Sequence, residues 1–190
     1  MDRDAKQSSN HLSEGETSLT PNQNRPPPIQ RGFWAVLIFT LFPLLGLIIL
    51  SLFSQLRPPE IGLVGGTLRA CPNSPNCVSS LAESEDQRVS PLPMMGDRDK
   101  SVEMLTQVIE NMPRASVITV AGPYLHAEFQ TRLLRFVDDV EFLIDPDAKV
   151  IHVRSASRSG HSDLGVNRQR VEVLRREIQS WTEPIEKKTL

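Results

Sequence analysis

The sequence predicts an α+β domain, an antiparallel four-stranded meander with helices packed on one face, preceded by one transmembrane helix. An uncharged apolar run from Phe33 to Phe53 predicts the membrane segment. Two apolar stripes at helical spacing, separated by segments that alternate apolar and polar residues, predict the domain. The chain has 190 residues, of which 39% are hydrophobic and 23% charged, a composition typical of one folded domain with attachments. A formal net charge of −2 excludes a globally basic nucleic-acid-binding protein.

The N-terminal part of the chain divides into a polar tail and an apolar helix. Residues 1–32 are rich in Ser, Asn, Gln and Pro and bury too little apolar surface to fold, so we expect a disordered tail. As a helix, the apolar run spans about 32 Å, which matches a hydrocarbon core of about 30 Å, and we place the transmembrane helix at residues 33–55. A cleaved signal peptide would have a shorter apolar run and a small-residue cleavage site. A buried globular helix is the other alternative.

The two cysteines bear on the side of the membrane that the domain occupies. Cys71 and Cys77 are the only cysteines and are separated by a Pro- and Asn-rich turn, so we expect a disulfide. Lys and Arg flank the apolar run almost symmetrically and do not decide its orientation. A disulfide favours the extracytoplasmic, oxidising side. The alternative is a pair of buried thiols in a reducing compartment.

The remaining chain is predicted as a linker at 56–64, a globular domain at 65–182 and a C-terminal tail at 183–190. Residues 80–98 are polar and interrupted by prolines, which predicts a surface loop. The periodicity predicts helices at Asp99–Met112 and Asn167–Trp181, and strands at Ser116–Ala121, Tyr124–Thr131, Phe136–Ile144 and Val150–Ser155. Short connections between these strands predict an antiparallel meander.

Strand parity gathers one set of polar side chains on the sheet face turned away from the helices. Residues at i and i+2 share a face, and this set comprises Tyr124, His126, Glu128, Asp139, Glu141, His152 and Arg154. A solvated face with cross-strand ion pairs explains them without a ligand. Alternatively, they form a binding concavity that orients a polar ligand or holds a cation. No metal site and no cofactor are predicted, because no metal-ligand or nucleotide-binding motif is present.

The loop between the last strand and the last helix is a second candidate. It is rich in Ser and Gly, and its candidate binding residues are Ser155, Ser157, Arg158, Asp163, Asn167 and Arg168. Free backbone N–H groups at a helix N-terminus beside arginines can bind phosphate or carboxylate. A rigid loop, with Ser and Asp bonded to the backbone and Arg paired with Asp, is the alternative.

Four motifs carry a resemblance to a known family: CPNSPNCVSS at 71–80, YLHAEF at 124–129, FVDDVEF at 136–142 and RSASRSGHSDLGVNRQR at 154–170. Together, in this order, they closely resemble the domain of unknown function 1499 family over roughly residues 65–180. The resemblance implies a domain that is membrane-attached or exported. It assigns no activity to any residue.

The sequence favours a non-catalytic, membrane-anchored binding module for an anionic small molecule or lipid head group. One alternative is a structural or assembly protein that uses the same polar surface for a protein partner. A second is a hydrolase built from Ser155 or Ser157 with His126 or His152, although no nucleophile-elbow motif accompanies these residues. The expected partners are the membrane, through residues 33–53, and an anionic ligand or a protein, with no nucleic acid.

Overall fold

The computed structural model describes residues 28–57 and 59–186, and side chains within 32–57 and 59–181. Helix α1 spans Pro28–Leu56 and contains Pro43. Within the described residues, its segment Gly32–Leu56, with a mean hydropathy of 2.7, is the one helix long and apolar enough to cross a membrane. By length and composition, such a helix is either a membrane anchor or a signal segment. By contacts, the chain divides into two units, and the boundary falls inside α1 after Leu41.

The domain that follows α1 is a mixed α+β structure, as predicted. Its strands are β1 Leu63–Val64, β2 Thr67–Leu68, β3 Cys77–Ser79, β4 Leu92–Pro93, β5 Ala115–Ala121, β6 Tyr124–Gln130, β7 Val137–Asp145 and β8 Val150–Ser157; its helices are α2 Arg98–Asn111 and α3 Val166–Glu186. Strands β5 to β8 form the predicted antiparallel meander. Strands β1 and β2 form a separate small hairpin.

The main sheet has six strands, so the prediction of four was too low. Its order is β3-β8-β7-β6-β5, and β4 also pairs with β8. Residues 80–98, predicted as a loop throughout, contain β4 and the start of α2. Strands of two or three residues are too short to show a period in sequence. They form because the outer edge of β8 offers unpaired backbone groups that short segments can bond.

Helices α2 and α3 cover one face of the sheet and create the core. Leu105 and Ile109 of α2 and Leu174 and Ile178 of α3 are fully buried, in agreement with the apolar stripes seen in the sequence. They pack in one cluster with apolar side chains of the central strands, among them Leu125, Val140, Phe142, Ile151 and Val153. The start of α2 is capped by Asp97, whose Oδ1 accepts the Lys100 N–H at 2.8 Å. The opposite sheet face is therefore free of helices.

The predicted boundaries shift at both ends of the chain. Residues 1–27 of the predicted tail lie outside the described residues, and 28–32 begin α1. The predicted linker at 56–64 contains the last residue of α1 and all of β1. Residues 183–186 of the predicted C-terminal tail continue α3, and 187–190 lie outside the described residues.

The disulfide between Cys71 and Cys77 is present, with an S–S distance of 2.02 Å and a Cα–Cα distance of 5.7 Å. Cys77 opens β3, which pairs with β8. The bridge therefore holds residues 71–77 as a closed loop at the edge of the main sheet. A structural disulfide is typical of an oxidising compartment.

We expect removal of this bridge to destabilise the domain by about 2 kcal/mol. Closing a loop of this length lowers the conformational entropy of the unfolded chain, and the corresponding free energy is of that size. Denaturant unfolding of the full chain in detergent, with and without reductant, measures the effect. Reductant should shift the wild-type transition and leave the double variant Cys71→Ala/Cys77→Ala unchanged. An equal response of both proteins to reductant would contradict a structural bridge.

Candidate functional site

The polar sheet face is the face of the main sheet opposite α2 and α3. The side chains on it are those that parity indicated: Tyr124, His126, Glu128, Asp139, Glu141, His152 and Arg154. Five of them, His126, Asp139, Glu141, Arg154 and Tyr124, are at most 9% exposed. The face is thus a buried network of charges rather than a solvated surface.

Glu141 is the centre of the first cluster on this face. It lies directly opposite Arg154 across β7 and β8, and Arg154 Nη1 donates to Glu141 Oε2 at 2.8 Å. The other carboxylate oxygen, Oε1, accepts the Tyr124 hydroxyl at 2.9 Å and the Gly62 N–H at 2.6 Å. Both oxygens of Glu141 are therefore engaged. Burial, and after it the negative charge of Glu141, raises the pKa of Tyr124.

Asp139, two residues away on the same face, is the centre of the second cluster. Arg158 donates two hydrogen bonds to Asp139, from Nε to Oδ2 at 2.8 Å and from Nη2 to Oδ1 at 2.7 Å. The Arg158 guanidinium also contacts Glu128. His126 Nε2 lies 2.8 Å from Asp139 Oδ1. Burial alone would raise the pKa of Asp139, but the hydrogen bonds from Arg158 and His126 outweigh burial and hold that pKa below its ordinary value. Hydrogen bonding to Asp139 raises the pKa of Arg158, although burial opposes it.

His152 lies on the same face but belongs to a different group. Its Nδ1 is 3.3 Å from the Ser80 hydroxyl, and its Nε2 is 3.7 Å from Asp145 Oδ2. The Ser80 oxygen also accepts the Val153 N–H at 3.0 Å. Sequence reasoning missed Ser80, because it lies 72 residues before His152 and no local motif links the two.

The predicted serines lie on the other, helix-covered face. The Ser155 hydroxyl donates to Asn167 Oδ1 at 2.6 Å, and Asn167 Nδ2 donates to the Ser157 hydroxyl at 3.0 Å. Arg170, which sequence reasoning did not select, joins Asp138 in an ion pair beside them. The sheet thus separates Ser155 and Ser157 from His126, and no Ser–His pair forms from these residues.

The backbone donors at the N-terminus of α3 are bonded within the chain. Asp163 accepts the Gly165 and Asn167 N–H groups at 2.9 Å each, so the chain itself satisfies these donors. Arg168 donates to the carbonyls of Asp86 and Arg88, both at 2.7 Å. Arg168 thus fixes the segment before β4 and makes no hydrogen bond to Glu141 or Asp139 among the described residues.

A cavity of about 260 Å³ opens beside both clusters. It is lined by Arg57, Glu60, Pro72, Ser74, Asp139, Arg154, Ala156, Ser157 and Arg158. Arg57 donates from Nη1 to the Arg158 carbonyl and from Nη2 to Glu60, at 3.0 Å each. The linker after α1 and the disulfide loop therefore build walls that strand parity could not reveal, because they are distant in sequence from β7 and β8.

Comparison with known families shows which family the chain belongs to. Residues 67–178 match the family described as "Protein of unknown function (DUF1499)". The chain belongs to this family. The resemblance seen in the sequence motifs is therefore confirmed. No curated protein and no solved structure matches the chain.

In this DUF1499 domain, three arginines lie at the wall of this cavity. Arg154 uses Nη1 on Glu141, while its Nε is buried without a hydrogen-bond partner among the described residues. The nearby oxygens of Glu141 and Asp139 already accept bonds. Such an arrangement can accept a group that brings its own acceptor oxygens. Within the described residues, no three His, Cys, Asp or Glu side chains are placed to hold a metal ion.

Substitution of Arg154 should destabilise the DUF1499 domain strongly, because it leaves Glu141 as a buried charge without its cation. We expect Arg154→Met to cost about 3–5 kcal/mol in the free energy of unfolding. Adding Glu141→Gln, which keeps an acceptor for Tyr124 and Gly62 but removes the charge, should recover part of that loss. Denaturant unfolding of both variants measures it. A double variant no more stable than Arg154→Met would contradict a charge-balance role.

The low pKa of Asp139 predicts acid sensitivity. A carboxyl whose pKa is lower in the folded state stabilises the fold fully above its unfolded pKa of about 3.9, and this stabilisation is lost as pH falls towards the folded pKa. Wild-type stability should therefore fall below about pH 4, and Asp139→Asn should flatten this slope. Leu174→Ala, which removes buried apolar atoms and no titrating group, is the control and should keep it. Equal slopes for wild type and Asp139→Asn would refute the assignment.

Proposed function

We propose that this protein is a membrane-anchored, non-catalytic binding module that holds the anionic group of a small molecule or lipid head group in the cavity beside Asp139 and Arg154. The observation that carries the proposal is that three arginines line the cavity and that one of them, Arg57, is exposed. Phosphates and carboxylates favour arginine partners.

The charges around the cavity support an anion rather than a cation. Three arginines and two carboxylates line it. Asp139 is already neutralised by Arg158, with which it shares two hydrogen bonds. Arg57 forms an ion pair with Glu60 at an exposed position, where ion pairs contribute little. Arg154 is likewise paired with the buried Glu141, so the positive charge available to a ligand anion is that of Arg57.

The anchoring part of the proposal rests on α1 and the disulfide. A helix as apolar as Gly32–Leu56, with nearly all of its side chains exposed, loses little by entering a bilayer and much by staying in water. The Cys71–Cys77 bridge supports an oxidising compartment for the domain. Arg57, the residue after α1, lines the cavity, so an anchored protein would hold this site close to lipid head groups.

The exposed pair Arg57 and Glu60 offers a matched test. Neither residue is buried, so both can be neutralised with little effect on the fold. With the full chain in neutral phosphatidylcholine nanodiscs, inorganic phosphate should raise the unfolding temperature. Arg57→Gln should weaken the apparent phosphate affinity about tenfold, the value of one charge-assisted hydrogen bond. Glu60→Gln should leave it equal or stronger.

A second arm separates the sources of the anionic group. Nanodiscs that contain phosphatidylglycerol should stabilise the protein without added phosphate if a lipid head group enters the cavity, and Arg57→Gln should reduce that stabilisation. Arg98→Gln, an exposed arginine on α2, is the control for general charge effects. No stabilisation by phosphate or by phosphatidylglycerol would reject the proposal and favour a protein partner for this surface.

A further inference from the structure

We propose that one end of the domain inserts two leucine side chains, Leu133 and Leu164, into the surface of the bilayer that α1 crosses. This inference rests on the membrane anchoring proposed above and is independent of the anion cavity. The ligand of this surface is lipid. The leucines contact it at the level where the apolar run of α1 ends.

The meander places both leucines at the same end of the sheet. Leu133 lies in the β6–β7 connection and Leu164 in the β8–α3 connection. These connections are adjacent because Asp138, at the start of β7, pairs with Ser157, at the end of β8. The turn after Val120, between β5 and β6, lies at the opposite end, a full strand of about 20 Å away.

The two leucines are the most exposed apolar side chains of the domain. Leu133 is 88% and Leu164 is 94% exposed among the described residues. Leu164 also has a φ of +54°, a left-handed conformation that costs a leucine about 1 kcal/mol. The fold gains no core contact from this strain. Strained residues of this kind cluster at functional sites.

The last turns of α1 contact the same end of the sheet. The Ser54 hydroxyl accepts the Val137 N–H at 3.1 Å, and the Ser51 hydroxyl donates to the Leu134 carbonyl. Ser51 precedes Phe53, the end of the apolar run, by two residues, or about 3 Å along the helix. The β6–β7 connection therefore meets the bilayer at the edge of its hydrocarbon core.

Leu164 shares a cavity with the last turns of α1. This mainly apolar cavity of about 380 Å³ is lined by Leu164, by Leu47 and Leu50 of α1, and by residues of this end of the sheet that include Phe136, Val166 and the polar Asp163. Leu47 and Leu50 precede Phe53 by about 9 and 5 Å along the helix. Side chains that anchor amphipathic segments in a membrane surface reach a similar depth of about 5–10 Å.

The charge around Leu133 complements an anionic membrane surface. Arg132 and Arg135, both exposed, flank Leu133. Each arginine close to anionic lipid contributes about 1 kcal/mol to membrane attraction. An apolar tip between two cations fits the boundary between acyl chains and anionic head groups, and its continuity with α1 favours lipid over a protein partner.

The disulfide makes a single-label experiment possible, because no cysteine among the described residues is free. Phe42→Cys, Val120→Cys, Leu133→Cys and Leu164→Cys each introduce one thiol at an exposed position. The full chain, labelled with an environment-sensitive fluorophore, is placed in phosphatidylglycerol nanodiscs with a lipid that carries a spin-label quencher near the head group. Emission wavelength and quenching are measured for each label.

We expect labels in Leu133→Cys and Leu164→Cys to emit at shorter wavelength and to be quenched, whereas the label in Val120→Cys stays in water. The label in Phe42→Cys shows whether α1 lies in lipid. If that label is in lipid while those in Leu133→Cys and Leu164→Cys resemble Val120→Cys, anchoring stands and insertion is overturned. If the label in Phe42→Cys is in water, anchoring and insertion both fail.

Discussion

The pair of carboxylates on β7, Asp139 and Glu141, is the constraint on which the rest of this domain depends. Both are almost fully buried on the middle strand of the sheet. A buried carboxylate is tolerated only when a cation and hydrogen-bond donors compensate its lost hydration. Arg154 and Arg158 supply the cations, and the positions of both guanidinium groups are consequently fixed by the fold itself.

This constraint also explains the segments that pack on the helix-free face. The Gly62 N–H completes the coordination of Glu141, so the linker after α1 is tied to the centre of the sheet. Arg57 bonds to the carbonyl of Arg158. The disulfide loop lines the cavity with Pro72 and Ser74. Burial of the charge network and construction of the cavity thus depend on the same contacts.

The sequence predicted the fold class, the meander and the disulfide, because period and short turns are local signals. Parity also placed the Glu141 and Arg154 side chains on one face, since alternation along a strand follows directly from its geometry. Parity could not show that Arg168 donates to the Asp86 and Arg88 carbonyls. It also could not show that Arg57 belongs to the site. Those contacts join segments about 80 to 100 residues apart, and no local pattern encodes them.

The short connection between α1 and the sheet limits where the cavity can be. From Leu56, the end of α1, to Gly62, bonded to Glu141, the chain reaches at most about 20 Å when extended. With α1 in a bilayer, the cavity stays within that distance of the membrane surface. A ligand that diffuses within the same leaflet is then presented at a high effective concentration, because encounter takes place in two dimensions. An affinity too weak to capture a molecule from free solution would suffice for one that resides in the membrane.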